Sequence, residues 1–213
     1  MVMPKIVCIS DTHNLHSKIK IPECDILIHA GDATGRGTLQ EITSFLFWFS
    51  QQPAKHKVLC FGNHDFLPET NPSLTRMLLS EHPSITYIEN SEATVMGLRI
   101  WGSPWTPRFY DWAFNADPDK LIKVWSSIPE GIDILVTHGP PFGILDETEE
   151  GIKAGCNILL HEIQNRIKPK YHISGHIHEG HGTKVVDGIT FVNASSCDRK
   201  YRPVNKPIIL EIE

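Results

Sequence analysis

The amino-acid sequence predicts an α/β fold in which two β-sheets pack face to face with helices outside. Three observations lead there. Short apolar runs of strand length alternate with amphipathic helical patterns. Most of these runs stop abruptly in a polar segment bearing Gly, Asp, Asn or His. Two further stretches, Ile85–Trp101 and Thr183–Asn193, carry turn signals instead of helices and add a more antiparallel set of strands. The chain has 213 residues, 40% of them hydrophobic, which suits a single domain over residues 1–213 with a full core.

Taken in order, Ile6–Ile9 and Asp25–His29 are short β-branched runs and are expected as buried strands. Thr38–Gln51 follows as a helix, because Leu39, Ile42, Phe45, Leu46 and Phe49 fall on one face. Lys57–Phe61 is the third strand and Leu74–Ser80 the next helix. Ile85–Trp101 breaks at Asn90-Ser91 and at Gly97, which divides it into short strands. Asp119–Trp125 is helical, Ile132–Val136 a strand, Asn157–Ile167 a helix and Tyr171–Ser174 a strand. Thr183–Asn193 predicts a hairpin turning at Asp187-Gly188, and Pro207–Ile212 the last strand.

Chemistry concentrates where the strands end. Asp11 and His13 follow the first strand, Asp32 the second, Asn63, His64 and Asp65 the third. His138 follows the fourth, and His176 and His178 the fifth. Ligands gather at the carboxyl ends of strands in open α/β sheets, so loops leaving one edge can meet at one place. Any one of these segments alone reads equally as a solvated loop or a turn. Their joint occurrence at every exit does not. Asp11, His13, Asp32, Asn63, His138, His176 and His178 offer oxygen and nitrogen donors without thiolate. That set suits two divalent cations sharing one carboxylate, with Mn, Fe, Zn, Co or Mg all compatible.

The blocks D-x-H, G-D, G-N-H-D, a lone His and G-H-x-H, from Asp11 to His178, resemble the calcineurin-like metallophosphoesterase superfamily. Within it the chain is similar to the MPPED-type subgroup. The supporting strings are Cys8–His13, Trp101–Pro107, Ile128–Pro141 and His178–Gly182. The resemblance implies a four-layer αββα sandwich of two mixed sheets and a dinuclear site, with Mn the favoured metal. Asp11, His13 and His178 would hold one cation, Asn63, His138 and His176 the other, and Asp32 would bridge. It also implies a phosphodiesterase acting through a metal-bridging hydroxide on small phosphate esters, including nucleotides and cyclic nucleotides. His64 would be the non-ligand histidine that protonates the leaving group, with Asp65 holding its tautomer. Asn14 would contact phosphate. Some animal members carry Gly at the position of His176 and are weak enzymes; the ligand set here is complete.

Two rival readings remain at this level. Gly31–Gly37 is similar to the G-D-x-x-x-R-G of Ser/Thr phosphoprotein phosphatases, where the Arg grips phosphate. Arg36 would then mark a phosphomonoesterase or protein phosphatase, although a solvated loop Arg explains it equally well. The other rival is a metal- and nucleotide-binding regulatory module with little turnover. Trp101, Trp105, Phe109, Tyr110 and Trp112 form an aromatic segment that suits a packed loop or a wall for a base.

Bulk properties exclude other classes. The net charge of −5 with scattered Lys and Arg argues against dedicated nucleic-acid binding. No apolar segment is long enough to span a bilayer, and Met-Val-Met-Pro-Lys leads straight into a strand with no signal peptide. The five cysteines are irregularly spaced and suit buried thiols in a reducing compartment. A cytoplasmic protein is the expectation, and nothing in the sequence sets its oligomeric state.

Overall fold

The computed structural model describes residues 4–212. Its first half builds one sheet. Strands β1 (Lys5–Ile9), β2 (Cys24–Ala30), β3 (Ala54–Cys60) and β4 (Ile85–Tyr87) run parallel in that order. The connections are α1 (Leu39–Ser50), α2 (Phe66–Thr70) and α3 (Pro72–Ser80). Helix α1 starts at Thr38 through a reciprocal capping box with Glu41 and buries Ile42, Phe45, Leu46 and Phe49, the face the sequence predicts.

The second half builds the other sheet. Its elements are β5 (Ser91–Val95), β6 (Leu98–Ser103), a small parallel pair β7 (Thr106–Pro107) and β8 (Asn115–Ala116), α4 (Pro118–Ser126) and β9 (Ile134–Thr137). After them come α5 (Asn157–Glu162), β10 (Tyr171–Ser174), β11 (Gly182–Val186) and β12 (Ile189–Asn193). The strand order is β11-β12-β10-β9-β6-β5, parallel across β12, β10, β9 and β6 and antiparallel at both edges. The last strand, β13 (Ile208–Glu211), returns to the first sheet antiparallel to β1.

The period-2 alternation of the strands divides the core. Ile6, Cys8, Ile26, Ile28, Val58 and Cys60 meet Ile100, Ile134, Val136, Ile173 and Val192 between the sheets. Their neighbours Val7, Ile9, Leu27 and Leu59 face α1 and α3, while Leu135 and Phe191 face α4 and α5 with Trp125, Leu159 and Ile163. The result is the four-layer αββα sandwich. Cys8, Cys60, Cys156 and Cys197 are buried free thiols, and Cys24 is half-buried.

Three local features differ from the sequence expectation. Helix Asn157–Ile167 is α-helical only to Glu162 and widens to a π-turn over Ile163–Ile167 before Lys168 turns left-handed at φ 45°. The fourth strand of the sequence pattern starts at Ile134, where Asp133 instead ties flanking segments of the chain: its carboxylate accepts the Arg99 N–H at 2.9 Å and its carbonyl the Lys170 N–H at 3.0 Å. One-turn helix α2 carries no periodic signal and was not expected.

Candidate metal centre

Six strand ends, not five, open onto one edge. Strands β1, β2, β3, β9 and β10 deliver Asp11 and His13, Asp32, Asn63 and His64, His138, and His176 and His178. Strand β12, parallel to β10, adds Asn193 and Ser195. The exits are sharply bent. Asp11, His13, Asp32 and His176 hold left-handed φ values of 51°, 40°, 54° and 68°. Such strain at non-glycine residues clusters at functional sites and persists only when surrounding bonds fix it. Here the bonds are Asp11 N–H to the Gly31 carbonyl (2.8 Å) and His13 N–H to the Asp32 carbonyl (3.1 Å). His176 N–H donates to Asp11 Oδ2 at 3.0 Å. Two glycines are required by close approach: a Cβ at Gly62 would collide with Asp32 Oδ1, and one at Gly175 with Asp11 Oδ2.

The side chains form two groups that meet at Asp32. In the first, His13 Nε2 and His178 Nε2 point at each other across 3.2 Å. Asp11 Oδ1 lies 3.4 Å from His178 Nε2 and 3.9 Å from His13 Nε2. In the second, His138 Nε2 lies 2.9 Å from Asn63 Oδ1 and 3.2 Å from Asp32 Oδ1. The His176 ring stands 4.9 Å from that of His138. Asp32 Oδ2 is 3.9 Å from His13 Nε2, so one carboxylate faces both groups.

Backbone carbonyls decide which ring nitrogens face inward. His138 Nδ1–H donates to the Ala30 carbonyl at 3.0 Å, and His178 Nδ1–H to the Asp198 carbonyl at 2.9 Å. Each neutral ring therefore aims an Nε2 lone pair into its group. With the rings neutral, lone pairs converge with no hydrogen between them, an arrangement that either protons on the rings or a cation must fill. The residues fit two divalent ions on this ground. Deeper in the strands, His29 Nε2 meets Thr12 Oγ1 (3.1 Å) and His172 Nε2 meets Thr137 Oγ1 (2.8 Å). Each threonine passes its own hydrogen to a loop carbonyl, at Ala33 and Gly139. These two strand histidines are structural ties behind the exits.

The model of the calcineurin-like phosphoesterase family matches residues 4–180. The chain belongs to the calcineurin-like phosphoesterase family. Metallophosphoesterase domain-containing protein 1 of Homo sapiens is 39% identical over 230 residues, covering 98% of this chain and 71% of that protein. The UPF0046 protein C25E10.12 of Caenorhabditis elegans is 36% identical over 98% of this chain and 80% of its own length. Among solved structures, the phosphopantetheinyl hydrolase of Mycobacterium tuberculosis superposes with a TM-score of 0.66 at 13% identity, covering 97% of this chain and 96% of that one. An archaeal phosphodiesterase gives 0.50 at 17%, covering 97% and 99%. At such identities the structural likenesses show the fold alone. Membership in the calcineurin-like family implies a phosphoric ester hydrolase that uses divalent metals.

The metal-free electrostatics of this calcineurin-like site are divided. Burial pushes His13 down to about 4, and burial with the nearby His138 pushes His176 down to about 3. Burial opposes charge on His138 too, but Asp32 outweighs it and raises the ring to about 9. Asp11 does the same for His178, also to about 9. Burial likewise works against the two carboxylates, yet those imidazoles hold both below their ordinary value. At neutral pH two of the rings thus carry protons that a cation must displace. Metal uptake at pH 7 is expected to release a proton from each, and affinity to rise with pH until about 9. The sign is opposite for the metal-free fold. Its His–Asp pairing stabilises fully below the ordinary imidazole range and is lost as pH rises through about 9. Calorimetric titration in buffers of different ionisation enthalpy reads the proton count; uptake independent of buffer would contradict it.

Not every expected residue sits as the sequence suggested. Asp65 does not touch the His64 ring. Its buried carboxylate accepts from the N–H groups of Ala33, Thr34 and Gly62 and the Thr34 hydroxyl. Burial and then Asp32 push it up to about 6. The group that holds His64 is the Gly35 carbonyl, 2.9 Å from Nδ1. Asp65 therefore acts only through the turn it fastens. Asn14 turns left-handed at φ 63° and gives its amide to Glu41, away from the metal groups. Neither Asn14 nor Arg36 lines the cavity over the site. That cavity, about 560 Å³, is lined by Phe109, Tyr110, Trp112, Arg199 and Tyr201 among others. The aromatic segment thus divides: Trp101 and Trp105 are buried core, and its later members form the wall. Trp112 stacks on His64 at 4.2 Å, and the Tyr201 ring stands edge-on to His13 at 4.7 Å.

Proposed function

We propose that this chain is a dinuclear metal-dependent phosphodiesterase for small phosphate esters, nucleotides and cyclic nucleotides among them. One observation carries the reading: Asp32 lies between two groups of converging lone pairs, each facing one of its oxygens. Asp11, His13 and His178 would hold one cation, Asn63, His138 and His176 the other, with Asp32 shared. When bound, two such cations activate water and neutralise phosphoryl oxygens. The protein's own groups do the rest. His64 stands over Asp32, its Nε2 4.0 Å from Oδ2, with Nδ1–H committed to the Gly35 carbonyl. The proton it can give up is therefore the one on Nε2, and the leaving ester oxygen is its acceptor. Trp112 on the ring face and Gly35 at its edge fix that direction. The rest of the ester would lie along the aromatic wall, in a cavity of a size usual for small ligands.

The cavity favours diesters over monoesters. A dianionic monoester needs an unshared cation, and Arg36 lies outside the cavity. Arg108 and Arg199 line it but are paired, with Asp117 and with Glu149 and Glu150. Manganese-loaded protein is expected to hydrolyse bis-p-nitrophenyl phosphate faster than p-nitrophenyl phosphate, and Arg36→Ala to leave both rates near wild type. A monoester rate that exceeds the diester rate and falls with Arg36→Ala would instead establish the phosphomonoesterase. Binding of a nucleotide without turnover of any diester would favour a regulatory module.

A further inference from the structure

We propose that Ser195 is a positioning residue that selects which oxygen of Asp11 faces the cation, with Asn193 holding Ser195 in place; this rests on the two-cation reading above. Asn193 ends β12 and is fully buried. Its Nδ2 faces three carbonyls, those of Ile177 (2.7 Å), Leu145 (3.2 Å) and Gly175 (3.3 Å). Only the amide nitrogen can serve three acceptors, so Oδ1 must point the other way, where it accepts the Ser195 backbone N–H at 3.1 Å. The clasp ties the loop bearing His176 and His178 to the end of β12.

The Ser195 hydroxyl, also fully buried, lies 2.8 Å from Asn193 Oδ1 and 2.9 Å from Asp11 Oδ2. It has one hydrogen to give. Asn193 Oδ1 already has the backbone donor, and an ionised carboxylate is the stronger acceptor, so the hydrogen goes to Asp11. Asp11 Oδ2 then holds the Ser195 hydrogen, while the His176 N–H is shared between the two oxygens, 3.0 Å from Oδ2 and 3.1 Å from Oδ1. Oδ1 is left facing His178 and His13. The torsion that swings a carboxylate is broad and intrinsically soft. Without the hydroxyl the two oxygens would be alike to the shared His176 N–H, and nothing in that contact would keep Oδ1 rather than Oδ2 presented. The Ser195 backbone is held on further sides: it pairs with Ser10 across the sheets, Ser196 N–H donates to the Ser10 carbonyl at 2.8 Å, and its own carbonyl accepts from Asn205 Nδ2 at 2.9 Å.

The test is a calorimetric titration of metal-free wild type, Ser195→Ala and Ser195→Thr with Mn²⁺, beside their metal-free melting temperatures. Alanine keeps the backbone N–H that Asn193 needs, so the metal-free fold should remain cooperative and melt only a little below wild type for the lost hydrogen bond. Wild type should bind two cations. Ser195→Ala should weaken one site ~10–100-fold, the usual cost of losing an outer partner of a metal ligand, and leave the other unchanged. Ser195→Thr, which restores the hydroxyl, should recover most of the affinity. Two sites of wild-type affinity in Ser195→Ala would overturn this inference and leave the two-cation reading standing, as would equal weakening by Ala and Thr. Fewer than two cations on wild type would overturn that reading and this inference with it.

Discussion

His64→Ala is expected to bind two cations with wild-type affinity and to lose ~10²–10⁴-fold in kcat on diesters, the usual contribution of a positioned proton donor. The geometry requires both halves of that result. His64 Nε2 is 4.0 Å from Asp32 Oδ2, and its Nδ1 is bound to a backbone carbonyl, so the ring borders the metal groups while making its one hydrogen bond outside them. Its removal takes away a proton source and spares the ligands. The loss should shrink on esters whose leaving group is already a weak base, because such a group needs no proton. A His64→Ala protein that turned over poor and good leaving groups at wild-type rates would remove His64 from the mechanism. One that lost a cation would make it a ligand.

Asp32→Asn should be more damaging, and by a different route. The amide oxygen can still accept the His64 N–H that Asp32 Oδ1 now takes at 2.8 Å. The NH2 group would then point hydrogens at the other set of lone pairs, where Asp32 Oδ2 now faces His13. A shared anionic ligand becomes a neutral one with repulsive hydrogens on one side. Metal analysis after dialysis should find one cation or none. With several kcal/mol of charge stabilisation gone, the rate should fall on the order of 10³-fold or more. Two retained cations and near-wild-type turnover would mean that Asp32 does not join the groups.

Much of the fold, and the gathering of the candidate metal site, was legible in the sequence for a physical reason. A parallel strand buried on both faces reads as an apolar run, and the polar stop at its carboxyl end stands out against it. Asp11, Asp32, Asn63, His138 and His176 were all visible in this way. The exit of β12 has the same form, an apolar run ending in Asn193-Ala-Ser, but its hairpin with β11 hid the parallel pairing with β10 across the chain. Asn193 and Ser195 went unread because register with a distant strand leaves no local mark.

Neighbourhood in sequence misled where the chain bends. Asp65 follows His64, yet its carboxylate turns to the Ala33–Thr34 turn, and it is the Gly35 carbonyl that reaches the ring. Asn14 follows His13, yet its left-handed backbone sends it to Glu41. Tyr201 is brought over His13 by a turn that Asp198 ties together, accepting the N–H groups of Lys200 and Arg202. Nothing in the spacing of that segment announces the placement.

The most direct measurement is anomalous diffraction from crystals of the manganese-loaded protein. Two peaks should flank the Asp32 carboxylate about 3.5–4 Å apart, the separation usual for paired catalytic ions. One should lie among Asp11, His13 and His178, the other among Asn63, His138 and His176. A single peak, or two that do not share Asp32, would contradict the dinuclear site.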